Sequence, residues 1–369
     1  MFKKHQKKPF FGKIRIMMLK KLLAVIFSAV LGFLGYLRNL PGENKFVSPL
    51  PTKQVQVAPI TKTPTPTPTE IPRDYSAWSF ENLTQRQYNG GQIKLGRVLK
   101  KEEKFTSYVF TYKSEEKTIS GLANIPFNSA QGKLNASGKF PVIILLHGWA
   151  DKEYYYPGYG TEKSANFLAE NGFLTLSPDF SGYGTSDWED KDILEARFSR
   201  PVEVLNLLSS INSLEKADFQ KVGIWGHSNG GQIALSILEI TDKNYPTSLW
   251  APVSLDFPEC VLTYLGTEEV GNIVKENIDK FLIINDPKKF SVGPYLDKIT
   301  SPFIVHQADK DEYIEPLWTQ DLVAKLKNNG LSVEYFIYKK ENHNFNRYKT
   351  TGETLRQRDL EFFKKQLLY

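Results

Sequence analysis

From Ile93 onward the apolar positions fall into two regimes. Three stretches, IKLGRVLKK (93–101), FTSYVFTYK (105–113) and KTISGLANIP (117–126), mix polar and apolar positions at strand length and predict antiparallel strands. The pattern then changes. FPVIILLHGW (140–149) is a continuous apolar run, the mark of a strand buried on both faces. Strands and helices alternate behind it. TEKSANFLAENGF predicts a helix stopped at Asn171-Gly172, FLTLSPDF a strand, and DILEARFSRPVEVLNLLSSI a helix that breaks or restarts at Pro201. KVGIWGHS predicts a strand, GGQIALSILEI a helix and SLWAPVSLD another buried strand. Residues 257–300 predict a small, mostly helical insertion or lid. SPFIVHQ and LSVEYFIYK then predict strands, PLWTQDLVAKLKNNG a helix ending at Gly330, and TGETLRQRDLEFFKKQLL a closing helix. Such alternation implies an α/β fold: a mostly parallel central sheet of about eight strands, helices on both faces, and antiparallel strands at the N-terminal side. Ligands of such sheets bind beyond the carboxyl ends of the strands.

The first part of the chain reads differently. Residues 1–21 are basic, and LLAVIFSAVLGFLGYL (22–37) follows without a charge. As a helix this run spans about 24 Å, against about 30 Å for a bilayer core. Lys20, Lys21 and Arg38 can reach the headgroups. The run ends in GYLRNLPGENKF, which lacks the small-residue pattern of a cleavage site. Residues 1–21 are therefore expected to be a cytoplasmic tail and 22–38 a retained transmembrane signal anchor. Secretion after signal cleavage is the alternative. The positive flank places the body on the extracytoplasmic side of the cell membrane, in a single-pass arrangement. Residues 39–74 include the Thr-Pro alternation TPTPTPTEIP, which suits neither helix nor central strand and predicts an extended stalk. Residues 75–369 are left as the globular domain.

Charge and cysteine content narrow the classes further. The net charge of +6 resides in the tail: residues 1–40 hold nine Lys/Arg and no acid, leaving 38 basic against 41 acidic residues elsewhere. The body thus carries no nucleic-acid footprint. With a single cysteine, Cys260, an internal disulfide and a cysteine-based zinc site are both excluded, and neither metal nor cofactor is expected.

The candidate chemistry centres on VGIWGHSNGGQIALSIL (222–238), where Ser228 sits between Gly226 and Gly230 after an apolar strand and before a helix. A serine hydroxyl is a weak nucleophile that needs a fixed, exposed position and an adjacent base. A sharp strand-to-helix turn supplies the position, and flanking glycines let strand and helix approach: this is the G-x-S-x-G elbow. In that arrangement an acid and then a histidine follow the serine along the chain. Of the two later histidines, His306 lies inside an apolar strand and reads as structural. His343, in the polar loop KKENHNFN, is the candidate base. Three carboxylates could orient it by position: Asp311 and Asp309 in HQADKDEYIEP, and Asp256 at the end of APVSLD. For the oxyanion, the backbone N–H groups of Asn229 and of Trp149, which follows Gly148, are the candidate donors.

These residues resemble the α/β-hydrolase superfamily, and more narrowly its dienelactone-hydrolase-like and prolyl oligopeptidase-type catalytic domains. The resemblance covers about residues 93–369 and rests on LLHGW, AENGFLTLSPDFSGYGTSD, GIWGHSNGG, SLWAPVSLD, YLDKITSPFIVHQADKDEYIEPLWTQDLVAKLKNNG and ENHNF. It implies an α/β-hydrolase fold and a Ser-His-Asp serine hydrolase. Laying His306 and Trp318 on the family's acid-loop histidine and tryptophan puts Asp311 on the acid. Three departures stand out: Ala308 replaces the usual glycine of that loop, His147 stands where prolyl oligopeptidases often carry an oxyanion-hole tyrosine, and the roughly seventy residues between stalk and HGW leave no room for the propeller of prolyl oligopeptidases proper.

The resemblance implies cleavage of ester or amide bonds in a small-molecule ester or a peptide, with esterase activity favoured and a prolyl oligopeptidase-type peptidase as the alternative. An inactive hydrolase fold used as a binding module is the reading from another class, and the intact Ser228, Asp311 and His343 set speaks against it. Tyr154, Tyr155, Tyr156 and Tyr159, in DKEYYYPGYGTEK, are candidate substrate-binding residues.

Overall fold

The computed structural model describes residues 72–127, 138–265 and 269–369. The basic tail, the apolar segment 22–38 and most of the stalk lie outside the described residues. Among the described residues no helix is long and apolar enough to cross a membrane.

Nine strands form one sheet: β1 (Lys94–Lys101), β2 (Phe105–Ser114), β3 (Lys117–Pro126), β4 (Phe140–Leu146), β5 (Leu174–Pro178), β6 (Ala217–His227), β7 (Thr247–Trp250), β8 (Phe303–Ala308) and β9 (Val333–Tyr338). Their spatial order is β1-β2-β3-β5-β4-β6-β7-β8-β9. The first three form an antiparallel meander, and β3 pairs antiparallel with β5. From β5 to β9 every pairing is parallel. The helices are α1 (Phe80–Gln85), α2 (Glu162–Glu170), α3 (Ile193–Ser210), α4 (Asn229–Ile240), α5 (Glu259–Leu262), α6 (Glu269–Phe281), α7 (Pro316–Asn328) and α8 (Lys349–Leu367).

The apolar run of β4 explains why this strand lies centrally. All seven of its residues are buried, and alternate side chains enter opposite layers. Val142, Ile144 and Leu146 join the cluster that includes α4, whereas Ile143 and Leu145 join the cluster that includes α8. Each such side chain contributes roughly 1.5–3 kcal/mol on leaving water. α8 is also fixed by polar contacts. Asp359 accepts from Trp225 Nε1 (3.1 Å), Trp250 Nε1 (2.9 Å), Ser248 Oγ (2.6 Å) and His306 Nε2 (3.0 Å), all buried.

Three details differ from the pattern reading. Pro201 lies inside the continuous helix α3 and does not break it. It lacks the N–H that would bond the carbonyl of Arg197, a loss offset by burial of Phe198, Val202, Val204 and Leu205 around it. β7 is only four residues long, because Ala251 takes a left-handed φ of 42° and turns the chain out of the sheet. α1 has no counterpart in the sequence reading; Ser79 caps it by accepting from Asn82 N.

Candidate active site

Strand β6 ends at His227 and α4 begins at Asn229, so the turn between them consists of Ser228 alone. Ser228 has φ 56° and ψ −121°, a conformation costly for any side-chain-bearing residue. Three backbone hydrogen bonds of 3.0 Å hold it there: Ser228 N donates to Trp250 O, and Ser228 O accepts from Gly231 N and Val253 N. The turn also needs its glycines. A Cβ on Gly230 would stand 2.1 Å from Leu146 O, and one on Gly226 would stand 2.6 Å from Gly230 O. The helix thus starts directly against the end of β4.

The loop after β9 brings His343 against His227, the residue before this turn. His227 Nε2 donates to His343 O at 3.1 Å, and the two imidazole rings lie 4.7 Å apart. His343 is itself buried, and its Nδ1 lies 2.9 Å from Asp311 Oδ2. The other oxygen of Asp311 accepts from Tyr313 N (2.9 Å) and Ile314 N (2.8 Å). Gln307 Nε2 donates to Oδ2 at 3.2 Å, and Thr319 Oγ1 holds Gln307 Oε1 at 2.7 Å. Burial alone would raise the pKa of Asp311. The hydrogen bond and charge of His343, with the two backbone N–H groups, outweigh it and hold the carboxyl below its ordinary value. Glu312 Oε2 accepts from His343 N at 3.1 Å and Tyr313 packs edge-on against the ring, so the imidazole is oriented from several sides.

Neither of the other two carboxylates reaches His343. Asp309 accepts from Lys340 N, and Asp256 Oδ1 accepts from Gly293 N at 2.6 Å. His306 is wholly buried between Asp359 and the Tyr338 hydroxyl, far from solvent and occupied on both nitrogens.

The turn after β4 faces the serine. A Cβ on Gly148 would stand 2.9 Å from Ser228 Cβ, so only a glycine passes there unhindered. His147, which the sequence marks only as standing in place of a tyrosine, secures this turn. Its Nδ1 lies 2.6 Å from Gly148 O. Carbonyl and N–H point in opposite directions across a trans peptide. Drawing Gly148 O toward the His147 ring therefore turns Trp149 N–H the other way. Burial lowers the pKa of His147 to about 4, with a further contribution from the Arg200 charge, so the ring is neutral at pH 7. The Trp149 side chain is 73% exposed and anchors nothing.

The four tyrosines do not form one wall. Tyr155 turns inward, donates to Asp179 Oδ1 at 2.8 Å and packs on His147 and Tyr183. Tyr154 and Tyr156 are exposed, and Tyr159 packs against Tyr155 and Tyr156. A buried phenol needs a hydrogen-bond partner, and Asp179 provides it for Tyr155. Among the described residues no group of three or more His, Cys, Asp or Glu could hold a metal ion.

A strained serine between a buried strand and a helix, on a mostly parallel sheet, places the chain in the α/β-hydrolase class of serine hydrolases. Residues 159–368 match the prolyl oligopeptidase family, and the chain belongs to that family. An uncharacterized 31.7 kDa protein of Escherichia coli, from the traX-finO intergenic region, is 32% identical over 122 residues; the match spans 32% of this chain and only 37% of that relative. The fold is similar to that of Porphyromonas gingivalis dipeptidyl peptidase 4, with a TM-score of 0.55 and 16% identity over 72% of this chain and 36% of the other. It is similar also to an acetyl xylan esterase from Paenibacillus sp. R4 (TM-score 0.55, 16% identity, 76% of this chain and 91% of the other). A third similar structure is Pyrococcus horikoshii acylaminoacyl peptidase (TM-score 0.53, 19% identity, 73% of this chain and 43% of the other). At such identities the likeness is one of fold.

Proposed function

We propose that this protein hydrolyses ester or amide bonds through an acyl-enzyme, with Ser228 as nucleophile, His343 as base and Asp311 as the acid that orients it. The observation that carries the reading is the His343–Asp311 hydrogen bond on a loop that touches His227, the residue before the strained serine. With Nδ1 engaged by Asp311, Nε2 is the nitrogen left to accept the Ser228 proton. Ser228 Oγ bonds to the substrate carbonyl carbon as His343 takes that proton. The protonated ring then gives it to the leaving alcohol or amine as the scissile bond breaks. Water, deprotonated by His343 in turn, releases the acid. The N–H groups of Asn229 and Trp149 receive the developing oxyanion.

Esterase activity is the favoured form, supported by the absence of any propeller-length segment between the stalk and β4. Membership of the prolyl oligopeptidase family supports the peptidase form. The apolar run 22–37 with its basic flank supports a retained membrane anchor, with the catalytic domain outside the cytoplasm. A fluorophosphonate probe on the full chain tests the chemistry. Labelling lost in Ser228→Ala supports it, and a folded protein that never labels refutes it, leaving the binding-module reading. p-Nitrophenyl esters run beside aminoacyl and prolyl p-nitroanilides separate esterase from peptidase.

A further inference from the structure

A pocket runs along the face of α4 that carries Asn229, Gln232 and Ile233, and Asn229 is the residue next to Ser228. Its opposite wall is supplied by Arg197 and Phe198 of α3, with Cys260 and Phe290 from the insertion. The walls are largely apolar, and into them projects the half-buried guanidinium of Arg197.

What Arg197 touches is unusual for a cation in such a place. Its Nη2 donates to Gln232 Oε1 and to Cys260 Sγ (3.2 Å), two uncharged acceptors. Among the described residues it has no carboxylate partner, and Nη1 and Nε make no hydrogen bond. Arg200, one turn further along α3 and also on the pocket, is placed differently. It lies 3.8 Å from Glu189 and packs over the rings of Phe180 and Tyr183. A half-buried guanidinium that meets two uncharged acceptors and no carboxylate keeps its charge available to an anion entering the pocket. Gln232 holds it without neutralising it: its own Nε2 donates to Leu255 O at 3.1 Å, which directs Oε1 at Arg197. The helix beneath adds to the field, because α4 points its positive end at the same space.

We propose that Arg197 binds a carboxylate carried by the acyl part of the substrate, a few carbons from the scissile carbonyl. This rests on the catalytic reading given above. Asn229, whose N–H would hold the acyl oxygen, also lines the pocket, which puts the pocket within reach of the acyl chain. From Asn229 to Gln232 the helix rises about 4.5 Å, which sets the reach to that of a short dicarboxylic half-ester. For an amide substrate the equivalent is an Asp or Glu on the acyl side of the bond. The free Nη1 and Nε groups supply the donors for a two-point contact, and the surrounding aromatic walls keep water from screening it.

The test is a matched pair of substrates on the full chain: mono-4-nitrophenyl glutarate and its neutral methyl ester, with Ser228→Ala giving the spontaneous rate to subtract. The expected result is a kcat/KM ratio of at least tenfold in favour of the acid, shrinking as salt is raised. In Arg197→Met and Arg197→Gln the ratio falls to about one, and in Arg197→Lys it lies between. A wild-type ratio of one or less, with the neutral ester turned over and Ser228 labelled, overturns the proposal and leaves the serine hydrolase intact. Failure to hydrolyse either ester together with failure to label overturns both. Should the Arg197 variants not fold, the wild-type ratio and its salt dependence still decide.

Discussion

His343 Nδ1 lies 2.9 Å from Asp311 Oδ2, while Asp311 Oδ1 takes two backbone N–H groups from its own turn. The carboxylate is therefore held by the chain before it holds the imidazole. Asp311→Asn keeps the shape but presents an amide to the ring and favours the wrong tautomer. A fall in kcat on the order of 10³–10⁴-fold is expected. Asp309→Asn and Asp256→Asn, whose carboxylates serve Lys340 N and Gly293 N, should stay within about threefold of the parent. Steady-state rates on a p-nitrophenyl ester decide, and a large loss in Asp309→Asn with a small one in Asp311→Asn would reverse the assignment.

Gly148 and Gly230 separate chemistry from folding. An alanine at 148 would meet Ser228 Cβ at 2.9 Å and His227 O at 3.2 Å, so the loop after β4 or the serine itself must give by a few tenths of an ångström. With Ser228 as the proposed nucleophile, a displacement of that size should cost about 10–100-fold in kcat, with a smaller fall in thermal midpoint than in Gly230→Ala. An alanine at 230 meets the carbonyl oxygen of Leu146 at 2.1 Å, and the backbone of β4 cannot yield. Gly230→Ala should not accumulate as folded protein. Equal melting curves for the two variants would contradict the account of the elbow.

Asp359 ties α8 to the centre of the sheet through four buried donors on β6, β7 and β8. Asp359→Ala strands all four. A loss on the order of 3–5 kcal/mol is expected in urea denaturation at pH 7. The site itself should still label with a fluorophosphonate at low temperature, because no atom of Asp359 touches Ser228, His343 or Asp311 among the hydrogen bonds described.

These three cases show what the sequence could and could not reveal. The elbow was legible because its chemistry demands glycine at 226 and 230, where a strand and a helix meet with no room for a Cβ. The alternation of buried runs and amphipathic segments likewise dictated the parallel sheet. The choice among Asp256, Asp309 and Asp311 was not legible from position, since all three follow strand ends. All three give one oxygen to a backbone N–H; what separates them is which second oxygen the fold brings to His343, and that is a contact between two loops far apart in the chain. The Asp359 hub joins Trp225 to a residue 134 positions away, a link no local pattern encodes. Tyr155 misled in the opposite way: an aromatic-rich loop looks like a pocket wall, yet its hydroxyl is drawn to the buried carboxylate of Asp179. Arg197 was hidden by its setting in an ordinary amphipathic helix.

Glu239 supplies a pH-dependent prediction. It sits on α4, 5% exposed, and neither of its carboxylate oxygens has a hydrogen-bond partner among the described residues. Burial, reinforced by the charges of Asp256 and Asp297, pushes its pKa well above the ordinary carboxylate value. The folded protein therefore keeps this proton at pH values where the unfolded chain has released it. Stability contributed by the group is fully present below the unfolded pKa of about 4.5 and is lost as pH rises toward the folded one. Each unit of pH in that window costs about 1.4 kcal/mol. Glu239→Met removes the titration and fills a similar volume. The variant should be more stable than the parent at pH 8, by about 1–4 kcal/mol, and the gain should shrink steadily toward pH 5. Urea midpoints at pH 5, 6.5 and 8 measure this directly. A difference between the two proteins that stays flat across that range would show that Glu239 does not hold its proton in the fold.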